Sequence, residues 1–333
     1  MKDANKSVTA CVVSISMFFI VLGISCKKEK SVLPEVDTTE VSVVTPTSAS
    51  CTGVVISAGS TKLIEKGLCW SDSPSPTIED STVSTHLYPY LVPFELRIGG
   101  LKPEITYYVR AYATSEAGTS YGNELLFATP ADLTGEKGTV ADSDGNIYQT
   151  IGIGSQIWIA ENLKTTRYND GTSIPLITGN REWSQLFKPA YCWYNNDVIN
   201  KDIYGALYNW YTVQTGKLCP SGWHVPDLKE WKIIETFLGG PDVAGGKMKA
   251  AGTDYWKSPN VGATNSSGFT GLPGGFRADD GSFVYIRESN LLWSSTGNKS
   301  TSAWYRAQGY IASDLPIGSN TVLWGGSVRC IKD

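Results

Sequence analysis

The sequence predicts two folded parts in series, an all-β sandwich followed by a mixed α+β domain. Three observations carry that expectation. At 333 residues the chain exceeds what one ordinary hydrophobic core accommodates. Between Glu40 and Thr129 it alternates apolar and polar positions in short runs parted by turns, which is the spacing of a sandwich. Ten of its eleven tryptophans fall after residue 150, so the two parts differ in kind.

Residues 1–26 read as an export signal. Lys2 and Lys6 form a weak basic start, and Val8 to Ile24 form an apolar run broken by Thr9, Ser14 and Ser16. That run is short for a membrane-spanning helix, which needs about 20 residues. Leu22-Gly23-Ile24-Ser25-Cys26 resembles a bacterial lipoprotein signal. The resemblance implies lipidation of Cys26 and anchorage in the outer membrane, with the periplasmic and cell-surface sides both open. Residues 27–38 are polar and charged and read as a tether.

The sandwich is expected over 39–130, with strands at 40–44, 49–56, 65–71, 94–98, 106–114 and 123–129. In 106–114 Tyr107, Val109, Ala111 and Ala113 share one face. Cys51 and Cys69 stand on two of these strands and could bridge across them. Residues 131–137 make a linker to a second domain over 138–333.

Within that domain, Asp142-Ser143-Asp144-Gly145 opens like a calcium loop, but the glutamate due at the twelfth position is missing. Asp144-Gly145 reads instead as a hairpin turn, with 147–150 and 156–160 as strands. Tyr204, Leu207, Tyr208 and Tyr211 recur at helical spacing and predict a helix. The clearest element is a second helix after Asp227. Asp227 and Glu230 have capping-box spacing, Leu228, Trp231, Ile234 and Leu238 make an apolar face, and Gly239-Gly240 end it.

Composition excludes several functions. A net charge of −4 offers no basic face for nucleic acid. The only histidines are His86 and His224, so a multi-histidine metal site is not expected, and no cysteines stand in a C-x-x-C pair. The glycine-rich stretch 262–277 lacks the spacing of a phosphate loop. Ser294 has no G-x-S-x-G around it, and His224 is read as packed or edge-exposed, without partners for catalysis. Glu161, Asp254, Asp279 and Asp280 form no convincing glycosidase pair. No enzyme activity and no cofactor are expected; a structural calcium ion has no motif to place it.

Leu101-Lys102-Pro103 leading to Tyr107, with KGLCWS and EAGTSYGNELLFAT, resembles a fibronectin type III domain and implies a spacer. DSDGNIYQTIGIGSQIWIAENLKTTRYNDG, YGALYNWYTV, KLCPSGWHVPDLKEW, AGGKMKAAGTDYW, GATNSSGFTGLPGGFR, WSSTG, AWYRAQ and GGSVRCIKD, in that order, resemble the Fibrobacter succinogenes major paralogous domain of exported lipoproteins. The closing pattern also resembles C-type-lectin-like and formylglycine-generating-enzyme-like folds, which implies a late cysteine bridging back. Cys219 and Cys330 are then the expected disulfide, and Cys192 the odd thiol. These likenesses imply a binding protein that recognises a glycan or another exported protein, or else a structural component of a surface complex. Trp256, Trp304 and Trp324, with Arg306, are the candidate ligand contacts, because they lie in Gly/Ser/Thr-rich surroundings.

Overall fold

The structure, a computed structural model, describes residues 31–89 and 91–333. The expected signal segment and Cys26 therefore lie outside the described residues. Eight strands come first: β1 (Glu35–Ser42), β2 (Ser48–Ser57), β3 (Leu63–Ser71), β4 (Ser81–Thr85), β5 (Phe94–Gly99), β6 (Thr106–Ser115), β7 (Gly118–Tyr121) and β8 (Leu125–Ala128). They form two sheets, β1-β2-β5 and β4-β3-β6-β7, with β8 pairing the other half of β6. Tyr107, Val109, Ala111 and Ala113 point into the shared core as their alternation requires. The Tyr107 hydroxyl accepts the Lys102 N–H at 3.0 Å, which closes a tyrosine corner and makes this part fibronectin type III-like.

Strand β1 begins inside the stretch expected to be tether, and β4 and β7 were not expected as strands. β7 and β8 are one edge strand interrupted at Gly122-Asn123. Thr38 fills the gap: its N–H donates to Asn123 Oδ1, its hydroxyl to the Asn123 carbonyl, and its Oγ1 accepts from Ala111 N–H. The Cys51–Cys69 bridge is not formed; both are buried free thiols. Cys51 joins the inter-sheet core, whereas Cys69 follows core-facing Leu68 on β3 and so points to the opposite face, toward the Pro76 carbonyl.

The remainder begins with β9 (Lys137–Ala141), β10 (Ile147–Ile153) and β11 (Gln156–Ile159). Then come α1 (Asn180–Ser184), β12 (Tyr191–Cys192), α2 (Asn200–Tyr204), β13 (Leu207–Tyr208), α3 (Trp210–Val213) and β14 (Trp223–His224). After these lie α4 (Leu228–Phe237), α5 (Pro241–Met248), β15 (Gly274–Arg277), β16 (Phe283–Ile286), β17 (Ser289–Lys299), β18 (Ser302–Gly309), β19 (Ile317–Thr321) and β20 (Ile331–Lys332). Two five-stranded sheets, β14-β20-β11-β10-β9 and β16-β15-β17-β18-β19, dominate it. Its longest helix has 10 residues, so it is mostly strand and loop rather than a balanced α+β domain.

α4 and α5 cover one side of β17 and β18, burying Trp231, Ile234, Ala244 and Met248 with Trp158, Phe269 and Leu292. Tyr148, Tyr208, Trp293 and the Cys219 and Cys330 pair belong to a separate cluster. The expected helix through Tyr204–Tyr211 is broken. Gly205 at φ 73 ends α2 after Tyr204, and Leu207-Tyr208 pair with Tyr191-Cys192. Asn209 then caps the short α3 by accepting from Thr212 N–H.

Candidate functional site

α4 is the hub from which loops are placed. Its capping box is complete: Asp227 accepts from Glu230 N–H, and Glu230 Oε2 accepts from Asp227 N–H, both at 2.8 Å. Gly239 and Gly240, at φ 106 and 103, end it in conformations that disfavour L side chains. Upstream, Cys219 is bonded to Cys330, a sequence separation of 111. That bond ties the approach to α4 to β20, which lies between β14 and β11.

His224, expected to lack partners, is held between two carboxylates. Its Nδ1 lies 2.6 Å from Asp333 Oδ1 and its Nε2 lies 2.7 Å from Glu230 Oε1. Burial alone would lower its pKa, but the bonds to Asp333 and Glu230 raise it above 6.5. A raised folded pKa gives stability that is full below the unfolded value, about 6.5, and is lost as pH rises through the folded value. With the imidazole more than a third exposed, the gain stays below about 1 kcal/mol. His224→Gln should therefore lower the melting temperature at pH 5 and leave it nearly unchanged at pH 8.5. An equal loss at both pH values would remove the ion pair as its cause.

Three basic residues of the sequence motifs, Lys249, Arg277 and Arg329, are interior clamps. Lys249 is fully buried and donates to the carbonyls of Val261, Gly309 and Ala312 at 2.9, 2.8 and 2.7 Å. Burial pulls its ammonium down to about 8. Arg277 donates to the carbonyls of Gly281, Ile177 and Thr178, and lies 4.4 Å over Trp183. Arg329 donates to Asn162 Oδ1 and to the carbonyls of Ile159, Phe269 and Thr270.

Two candidate ligand contacts are corrected on the same ground. Trp256 is 0% exposed, with its indole N–H on the Gly271 carbonyl and Lys249 above its ring, so it is core. Arg306 is 5% exposed and ion-paired at 2.6 Å to Glu235, itself buried on α4. Sequence reading could not find that pair, because Glu235 shows no motif and the contact is long-range.

Trp324 is half-buried in a row of rings. Phe276 stacks on it at 4.4 Å and 17°, and Tyr305 lies at 6.3 Å and 30°. With a neighbour at each of those rings, little of its π surface is left for a ligand. The row runs from buried Trp293 through Tyr305, Trp324 and Phe276 to Tyr285, the terminal ring and 55% exposed. Trp304 is half-exposed on β18.

Tyr285 and exposed Arg287 have φ 62 and 66, left-handed values that bulky side chains rarely adopt. Such outliers concentrate at functional sites. The hydrogen bonds from Arg287 N–H to the Pro273 carbonyl and from Lys257 N–H to the Arg287 carbonyl hold this turn in place. Exposed Tyr255 lies in the segment 253–257 that flanks this turn, since Arg287 Nη2 donates to the Thr253 carbonyl at 3.1 Å and the Arg287 carbonyl accepts from Lys257 N–H. No glycine or asparagine marks the turn, which is why sequence reading passed over it.

The hairpin carboxylates have protein donors. Tyr148 O–H donates to Asp142 Oδ2 at 2.6 Å, and Arg167 Nε lies 3.2 Å from Asp144 Oδ1. Ser294 is buried, with its hydroxyl on the Pro226 carbonyl. Among the described residues no group of three acidic, histidine or cysteine side chains could hold a metal ion. No described helix is long and apolar enough to cross a membrane.

The family model of the Fibrobacter succinogenes major domain matches residues 151–332, more than half of the chain. No curated protein matches. Among solved structures, the sensor domain of the anti-sigma factor RsgI4 of Pseudobacteroides cellulosolvens is 20% identical, covers 32% of this chain and 100% of that one, and has a TM-score of 0.24. The sixth fibronectin type III domain of human fibronectin type III domain containing protein 3 is 21% identical, covers 32% of this chain and 91% of that one, and has a TM-score of 0.22. Likeness at this level carries no functional argument.

Proposed function

The chain belongs to the Fibrobacter succinogenes major domain family, and on that premise we propose that it is an exported, lipid-anchored binding protein rather than an enzyme. Its C-terminal part would recognise a glycan. The observation that carries this reading is the exposed ring of Tyr285, held in a strained turn beside Arg287 at the end of a buttressed aromatic row. A rigid ring offers a sugar an apolar face at little entropy cost, while Arg287 and the Tyr255 hydroxyl supply polar contacts. A lectin-like arrangement, with a braced core carrying a loop-built face, fits that use. The Cys219–Cys330 bond is compatible with an oxidising compartment.

A glycan array probed with the whole protein tests the reading. Tyr285→Ala should reduce binding at least tenfold, and Trp256→Phe should keep the ligand preference. A uniformly flat array would sink the glycan reading. The alternative, a structural component of a surface complex, is favoured by the exposed apolar side chains of Phe187, Val198 and Ile199, at 81%, 62% and 72%. Recovery of a stoichiometric protein partner alongside a flat array would support it. For the anchor, Cys26→Ser should move the protein from the membrane fraction to the soluble fraction; retention there would refute lipidation at Cys26.

A further inference from the structure

We propose that a second surface, the end of the sandwich at which the chain enters β1, rests on the lipid bilayer that holds the anchor, with its apolar side chains at the headgroup–acyl boundary. This contact presupposes the reading of Cys26 as lipid-anchored and is independent of the Tyr285 face.

Strand register gathers four pieces of chain at this end. Glu35 at the start of β1 lies opposite Ser57 at the end of β2, and Leu63 at the start of β3 lies opposite Ser115 at the end of β6. Lys66 pairs with Thr85 and Gly53 with Phe94, so the connection from β4 to β5 falls there too. These pieces present Val32, Leu33, Ile64, Tyr88, Leu91 and Val92, each between 44% and 74% exposed. At the opposite end, the connections 43–47, 72–80 and 100–105 expose one large hydrophobic side chain, Ile78, among the described residues. Single exposed apolar side chains are ordinary, but six at one end of a small domain mark a contact surface.

What covers it follows from where the chain goes. The Val32 N–H donates to Ser60 Oγ at 2.8 Å and its carbonyl accepts from Ser60 N–H at 3.0 Å, so the chain is strapped to this end from Val32 onward. Six residue steps separate Val32 from Cys26, about 20 Å at full extension. A lipid on Cys26 therefore holds this end at the bilayer surface, where even a weak contact is populated because its partner is always within reach. The other connection leaves from the far end: β8 closes at Ala128, opposite Thr106 at the start of β6. The C-terminal part is thus joined at the end turned away from the membrane.

Charge decides the kind of contact. Exposed Lys62 is accompanied at this end by exposed Glu35, Glu65 and Glu116, and Lys66 is buried with its ammonium on the Pro89 carbonyl. These charges give anionic headgroups no net attraction, so the apolar side chains make the contact, and it should survive high salt and uncharged lipid.

The test uses the whole lipidated chain carrying Leu91→Cys, labelled with the environment-sensitive dye NBD and reconstituted into phosphatidylcholine vesicles with and without doxyl-labelled lipid. The described free thiols, Cys51, Cys69 and Cys192, are buried, which directs the dye to the introduced position. Sedimentation with the vesicles reports the anchor, and quenching reports the contact. Dye at Leu91 should be quenched at least fivefold more than dye introduced by Lys102→Cys at the opposite end, in low and high salt alike. Dye introduced by Lys62→Cys should be quenched as well, and should lose that quenching in Leu91→Ser/Val92→Ser, surface changes that leave the melting temperature unaltered. Sedimentation without quenching at Leu91, or quenching there that high salt abolishes, would overturn the proposal and leave the anchor standing. Failure to sediment would overturn the anchor and the proposal with it. Shielding of the dye that grows with protein concentration without lipid quenching would give this end to a second copy, and shielding only in native membranes would give it to a protein partner; either result overturns the proposal.

Discussion

Replacing Cys219 and Cys330 together with alanine should lower the melting temperature of the C-terminal part by roughly 10–15 °C. The bond closes a segment with a separation of 111 residues. Chain-entropy reasoning gives a loop of that length about 4–5 kcal/mol, and a domain of 150–250 residues shifts by ~2–4 °C per kcal/mol. Both sulfurs are buried, at 2% and 0% exposure, so the loss arises in the unfolded chain and through small cavities, without a new exposed surface. Calorimetry of the whole protein checks this. The sandwich, which has its own core, should keep its transition. A shift under about 3 °C would mean that β20 is held by its strand partners and core contacts alone.

Arg329→Met should cost more than about 3 kcal/mol, and the protein is expected to accumulate poorly at 37 °C. The guanidinium makes four hydrogen bonds to acceptors contributed by Asn162, Ile159, Phe269 and Thr270. Methionine matches the aliphatic stem but leaves those acceptors dry, and an unpaired buried polar group costs ~1–3 kcal/mol. The same change also removes the cation from above Phe269, where it lies 4.4 Å from the ring centre. Arg329→Lys should rescue only in part, because an ammonium cannot reproduce a fork aimed at acceptors on separate segments. Urea denaturation of both variants checks the order. Equal stability of Met and Lys would show that the stem's packing matters and the hydrogen bonds do not.

How much was legible depended on the range of the physics involved. α4 was readable from Asp227 to Gly240 because capping and helical spacing are local to about a dozen residues. The tyrosine corner was readable because Lys102 and Tyr107 are five residues apart and bond directly. The segment around Leu207 misled because its aromatic spacing fits a 3.6-residue period by accident, while Gly205 and strand pairing with Tyr191-Cys192 decide its shape. Trp256 and Arg306 misled for a different reason. Small polar neighbours in sequence imply exposure, but reversals of the chain bring Lys249 over Trp256 and the Leu315 carbonyl onto Arg306, and Glu235 arrives from the distant α4. His224 was read as lacking partners because Asp333 lies 109 residues away. Only folding makes the two neighbours.

The interior cations have a consequence for how such a domain can vary. Lys249 and Arg277 grip almost entirely through main-chain oxygens, and Arg329 does so for three of its four bonds. Every amino acid supplies that oxygen. A loop fastened this way keeps its path whatever side chains it displays, so substitution at Tyr255 or Tyr285 can change the chemistry of the surface without altering its outline. The architecture separates shape from surface chemistry, and on the proposed binding role a single scaffold would be redirected to new targets by changing a few exposed positions.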